Sequence, residues 1–165
     1  MKIFLDCEFT QLNHDSKLIS LALVSESGIE FYVELTDVYS VEDCSDFVIQ
    51  NVLPQLDPLR YGQSLVEARA SLRRFLSGFD EELEVCSDAP HWDWGFFYDL
   101  ACADHQPLLV QVVNLPTNLT SFFNQVNAEA LEHVELSDPP HHALLDARML
   151  AELFKILASR LVLSP

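Results

Sequence analysis

The sequence predicts a mixed α/β protein: an antiparallel meander of three strands joined to two parallel strands, five in one sheet, flanked by helices. Three observations predict it. The first 36 residues hold three strand-like runs in succession. From about Val41 helical patterns alternate with single strand-like runs, the arrangement of parallel crossovers. Composition allows a core: 49% of the 165 residues are hydrophobic and only 21% charged, a length and balance suited to one domain spanning 1–165.

Lys2 to Phe9 is a short apolar run ending in acids, the first strand. Leu18 to Ser25 and Ile29 to Leu35 are apolar and β-branched runs separated by Glu26-Ser27-Gly28, a hairpin turn. Phe47, Val48, Val52 and Leu53 then trace one apolar helical face that stops near Pro54. Ser64 followed by Glu67 is a capping box opening a helix through Leu76, with Gly78 as its stop. Glu84 to Ser87 is a fourth strand, and Asp93 to about residue 104 an aromatic-rich helix. Leu108 to Asn114, with Val110, Val112 and Val113, is the expected fifth strand. Two helices follow, about 119–133 and about 143–161, separated by Pro139-Pro140.

The 26 acids against 9 Lys and Arg leave a net charge of −17. That excludes a protein that coats duplex nucleic acid, whose affinity rests on basic side chains displacing counterions, and one that docks on anionic membranes. No run approaches the ~18 apolar residues of a membrane helix, and Asp6 interrupts Ile3-Phe4-Leu5 too early for a secretory signal. Cys7, Cys44, Cys86 and Cys102 form no C-x-x-C pair, as free thiols of a reducing cytoplasm would.

Three clusters carry chemistry. On a strand, Asp6 and Glu8 project from one face with Phe4, roughly 6.5–7 Å apart, while Ile3, Leu5, Cys7 and Phe9 take the other. A cation would offset their repulsion; a solvated strand face would explain the pair equally well. Asp93 follows the fourth strand, where open α/β sheets place their sites, although it would also suit a helix N-terminus, and Asp88 competes for the same role. His141 stands at the entrance of the last helix and Asp146 about a turn and a half inside it. On the residues alone either His141 or His142 reaches such a site.

In order, these clusters resemble the three motifs of the DEDD exonuclease superfamily, in its His-containing DEDDh branch, which has a ribonuclease H-like fold. They read Leu5-Asp6-Cys7-Glu8-Phe9, Trp92-Asp93-Trp94-Gly95-Phe96 and His141-His142-Ala143-Leu144-Leu145-Asp146-Ala147-Arg148. Ribonuclease T and oligoribonuclease are relatives at this level. The chain also resembles a small bacterial exoribonuclease group first described in mycobacteria, through its Asp-x-Glu-Phe start, Val52-Leu53-Pro54-Gln55-Leu56, and Asp-Ala-Arg in the third motif.

The resemblance implies that Asp6, Glu8, Asp93 and Asp146 hold two Mg²⁺ or Mn²⁺ ions about 3.5–4 Å apart. It implies that His141, five residues before the last Asp, is the general base. Nucleoside 5′-monophosphates would leave one at a time from the 3′ end of RNA or a single-stranded oligonucleotide. On the substrate side the candidates are Phe9, Asp88, Trp92 and Arg148. Where many relatives read His-Asn-Ala-x-Phe-Asp, this chain has Asp88-Ala89-Pro90-His91-Trp92-Asp93, so Asp88 either replaces a polar contact or joins the metal site. Phe9 would stack on a terminal base, a contact worth ~1–3 kcal/mol, or belong to the core. Arg69, Arg73 and Arg74 share a helix that would steer a phosphate backbone or pair with surface acids. A homodimer lending basic residues across its interface, as in ribonuclease T-like relatives, is left open. The rival expectations are a catalytically silent acidic domain of this fold that binds a protein partner, and an exonuclease that trims DNA.

Overall fold

The computed structural model describes residues 1–102, 107–125 and 140–162. Strands β1 (Lys2–Phe9), β2 (Leu18–Ser25) and β3 (Glu30–Leu35) form the expected antiparallel meander. Gly28 turns the β2–β3 hairpin at φ +83°, a conformation glycine adopts without steric cost. Beyond β1 the sheet continues in parallel with β5 (Glu84–Ser87) and β6 (Thr117–Asn118). Its far edge carries β4 (Gly62–Gln63), parallel to β3, so the described sheet has six strands in the order β4-β3-β2-β1-β5-β6.

The fifth strand is not where the Val-rich run predicts it. Along 108–114 a turn closed by Val112 N–H on the Leu109 carbonyl breaks the extended chain. Only Val112 bridges to Leu83, and Val110 stays 98% exposed. Pairing with β5 passes instead to Thr117–Asn118, just after Pro116, which has no N–H to donate to a ladder. The β4 pair was also unforeseen, because two residues show no alternation to read.

The helices are α1 (Asp46–Asn51), α2 (Pro58–Tyr61), α3 (Leu65–Leu76), α4 (Pro90–Ala101), α5 (Leu119–Gln125) and α6 (Ala143–Val162). The capping box of α3 is present as expected, and its Ala68, Leu72 and Leu76 are fully buried. They join α4 residues Phe97 and Leu100 against Ile3, Leu5, Leu21, Leu23 and Val33 on one sheet face. Full burial of each large aliphatic or aromatic side chain contributes roughly 1.5–3 kcal/mol. α4 begins three residues before the expected start, at Pro90, whose fixed φ suits a first helical position. Asp93 therefore lies inside the first turn. The rest of the helix expected over 119–133, beyond Gln125, falls outside the described residues.

On the opposite sheet face lies α6. Ala143 and Ala147, both fully buried, pack on Ala22 and Val24, while Leu150 packs on Phe4 and Cys86. Phe4, Asp6 and Glu8 thus face a helix and not open solvent. No helix among the described residues is long and apolar enough to cross a membrane.

Candidate active site

Asp6 and Glu8 occupy the carboxyl-end half of β1, opposite Ala22 and Ser20 of β2. A register shift between Glu8 and Phe9 ends regular pairing there, a local irregularity of the kind that re-aims side chains beside active sites. Two small residues, Ala143 and Ala147, let α6 approach this face closely and bring Asp146 over Glu8 and Asp6. From the other side, β5 ends at Ser87, whose hydroxyl accepts from Ala89 N–H at 2.9 Å and donates to the Asp93 carboxylate. That pair of bonds fixes Asp93 at the mouth of the strand.

Five acids from three distant segments converge this way. One carboxylate oxygen from each of Asp6, Glu8 and Asp146 lies within 4.8 Å of the others, and the same holds for Asp6, Asp88 and Asp93. Asp6 belongs to both trios. They line a cavity of about 620 Å³ with His141, Gln11 and Ser45, and with apolar walls that include Phe9, Leu12, Phe47, Val48 and Met149.

Charge repulsion and burial leave their mark on Asp6, Glu8, Asp93 and Asp146. Burial, then the neighbouring Asp93, Glu8 and Asp146, raises the Asp6 carboxyl well above the usual carboxylate range. Burial, Asp146 and Asp93 push Glu8 up to about 8. Asp93 is pushed up to about 7 by burial, against the pull of the Ser87 hydrogen bond. Asp146 is raised by burial, although the His142 N–H donates to its Oδ2 at 2.8 Å. Its Oδ1 is buried with no hydrogen-bond partner. An orphaned carboxylate oxygen among crowded oxygen donors fits a hard divalent cation of the Mg²⁺ or Mn²⁺ kind.

The two histidines diverge. His141 lines the cavity, meets the Phe47 ring edge-on at 4.8 Å between centroids, and takes φ +55°, the left-handed region few non-glycine residues enter. His142 turns away and stacks on Tyr32 at 5.0 Å. Tyr32 in turn donates to Glu34, a 2% exposed carboxylate that also accepts from Asp57 N–H.

The substrate-side candidates separate as well. Asp88 lines the cavity. Phe9 lines it, and its ring also stacks with Trp92 (5.6 Å) and Phe96 (5.3 Å) of α4. Trp92 serves that stack and does not line the cavity. Arg148 forms a two-bond ion pair with Glu30 at 2.6 and 2.7 Å and borders a separate cavity between α6 and the β2–β3 hairpin. Arg73 donates to the carbonyls of Ala101 and Pro107, tying α3 to the end of α4. Neither it nor Arg69 nor Arg74 lines the cavity.

Sequence reasoning missed Leu12 and misread Phe47. Leu12 sits 75% exposed in the loop after β1, where no periodicity marks it. Phe47 was expected on the core face of its helix; Val48 and Val52 are buried there, but Phe47 is 51% exposed over the cavity.

No family model matches the chain. Two proteins of Mycobacterium tuberculosis, from strains CDC 1551 and H37Rv, are each named 3′-5′ exoribonuclease. Each is 27% identical over 168 residues, covering 96% of this chain and 94% of its own length. Among solved structures, a full-length 3′-exonuclease superposes with a TM-score of 0.60 at 15% identity, over 98% of this chain and 80% of its own. An exonuclease I solved with an inhibitor gives 0.51 at 12% identity, over 98% of this chain and 44% of its own. The fold is thus the ribonuclease H-like α/β architecture, and the distant sequence relatives support membership of an exonuclease family.

Proposed function

We propose that this protein is a metal-dependent 3′→5′ exoribonuclease of the DEDDh type, releasing nucleoside 5′-monophosphates from the 3′ end of RNA or short oligonucleotides. The observation that carries the reading is the convergence of Asp6, Glu8, Asp93 and Asp146 around one cavity with His141 on its wall. Relatives named exoribonuclease that match over nearly the whole chain support the reaction and the substrate class.

Two Mg²⁺ or Mn²⁺ ions, when bound, would supply a water acidic enough to attack at neutral pH and positive charge for the leaving 3′ oxygen. Asp6, shared by both oxygen trios, would contribute to both positions; Glu8 and Asp146 would complete one, and Asp93 with Asp88 the other. His141 accepts the proton of the attacking water on its ring nitrogen. Ser87 holds Asp93, and the His142 N–H holds Asp146, each at one oxygen, leaving the other oxygen for coordination. Leu12 and Phe47 offer apolar surface for the terminal base. Choice of RNA over DNA then rests on a contact to the 2′-OH.

The test is incubation of 5′-labelled short RNA and DNA with Mn²⁺ or Mg²⁺, beside His141→Ala. A ladder of shortened RNA, lost with EDTA and reduced about 10²–10⁴-fold in the variant, is the expected result. No ladder with either metal overturns the enzyme reading. A ladder made equally fast by the variant overturns the base assignment, and equal cutting of DNA overturns the restriction to RNA.

A further inference from the structure

We propose that Gln55 is the positioning residue for His141, holding the turn that aims the imidazole into the cavity; the inference rests on the role of His141 given above. His141 is the one non-glycine residue at positive φ among the described residues. Such a conformation persists only where surrounding contacts over-determine it, and it clusters at functional sites. Here those contacts come chiefly from one side chain on a different element.

The Gln55 amide nitrogen donates to the Pro140 carbonyl at 2.7 Å and to the His141 carbonyl at 3.1 Å, so it grips the backbone on both sides of the His141 α-carbon. The Asn51 carbonyl, at the free end of α1, lies 2.6 Å from the same nitrogen, so its two N–H groups are shared among three carbonyl oxygens, which fixes where the amide sits. Gln55 belongs to a short 3₁₀ turn, Leu53–Gln55, directly after α1. Val52, 1% exposed, anchors that junction by packing with Val48 and Ile19. α1 also carries Phe47, whose ring meets the His141 imidazole edge-on. One rigid segment, 46–55, thus touches His141 at its backbone and at its ring. The neighbouring His142 is braced by Tyr32 and by its N–H bond to Asp146. Gln55 touches none of the site's carboxylates; its one link to them is the His141–His142 peptide, whose carbonyl accepts from Gln55 and whose N–H donates to Asp146, and the Tyr32 stack on His142 braces that peptide a second time. This gives the Val52-Leu53-Pro54-Gln55-Leu56 stretch a function in the reaction: its apolar members anchor, and Gln55 reaches across.

The substitution that isolates the effect is Gln55→Glu, which keeps the shape but turns the donor into an acceptor facing three carbonyl oxygens. Gln55→Met removes the donor without adding charge, and Gln55→Lys restores a donor of similar reach. Each is made alone and with His141→Ala, and kcat and KM for a short RNA are measured with Mn²⁺, alongside Mn²⁺ affinity by calorimetry and thermal melting. Misplacing a catalytic group by about 1 Å costs on the order of 100-fold. The expected result is a fall in kcat of about 10- to 100-fold for Gln55→Glu and Gln55→Met, with KM and Mn²⁺ affinity within about twofold of wild type and partial recovery in Gln55→Lys. In the His141→Ala background the same changes should have no further effect, since the group they aim is gone. Wild-type kcat in Gln55→Glu and Gln55→Met, or an equal loss with and without His141, overturns the proposal while leaving the nuclease reading intact. An inactive wild-type protein, or a fully active His141→Ala variant, overturns the underlying reading instead.

Discussion

Asp6 shares its carboxylate with both oxygen trios, and its neighbours Glu8 and Asp93 hold protons to about pH 8 and about pH 7. The consequence for stability has a definite sign. An unfolded chain releases these protons near pH 4, so between pH 5 and 8 the metal-free native state binds more protons than the unfolded one, and stability falls as pH rises. Each group contributes at most about 1.4 kcal/mol per pH unit in that window. Thermal melting in EDTA should therefore show Tm declining from pH 5 to pH 8. Millimolar Mn²⁺ should raise Tm, and raise it more at pH 8 than at pH 6, because ions then replace protons between the acids. A Tm in EDTA that is flat across this range, or unmoved by Mn²⁺, would contradict the clustered site. Asp93→Asn should reduce the response to Mn²⁺ while flattening the pH profile.

α6 owes its position to small residues. Ala143 and Ala147 sit directly on Ala22 and Val24, so the helix axis approaches the sheet closely enough for Asp146 to join acids on β1. Ala147→Leu should lift it, costing about 1–3 kcal/mol in stability and weakening Mn²⁺ binding measured by calorimetry. Ser64→Ala, at the capping box of α3, should cost about 1 kcal/mol and leave Mn²⁺ affinity unchanged, since α3 covers the opposite face. These elements also show what a sequence discloses. The capping box at Ser64 and Glu67 is local chemistry, so α3 was legible to the residue. The meander was legible because its three strands are adjacent in the chain and strongly apolar. The run at 108–114 was not, because β-branched residues report a preference for extended backbone, whereas pairing with β5 depends on which backbone N–H groups can reach it. At the site, the acids were legible from their order along the chain. Leu12, Phe47 and Gln55 were not, since their importance comes from a wall or a grip assembled from elsewhere. Phe9 was legible as an aromatic beside the acids, but its stacking with Trp92 and Phe96 was not, since those rings come from a helix far along the chain.

At the scale of the molecule, the nine cations decide how nucleic acid would be held. All nine Lys and Arg fall within the described residues, and none lines the cavity that holds the acids. Lys2, Lys17 and Arg148 are ion-paired with Glu84, Asp43 and Glu30, and Arg60 lies over the Tyr61 ring. Substrate engaged through one or two phosphates gives a weak salt dependence, about −0.7 in log K per log salt for each phosphate on a single strand. Raising KCl from about 50 to about 200 mM should then change KM for a short RNA by less than about tenfold, against about a thousandfold for a protein contacting eight phosphates. A steep dependence would show that basic side chains on another surface, or on a second copy of the chain, grip the strand.

The first and last acids of the site, Asp6 on β1 and Asp146 on α6, are 140 positions apart in the chain, yet their oxygens meet within 4.8 Å. During synthesis no nascent chain that stops short of α6 holds the full oxygen set, however well its sheet has formed. If the proposed exoribonuclease reading holds, the growing polypeptide could not cut the RNA around it, and competence would arrive only as the final helix docks.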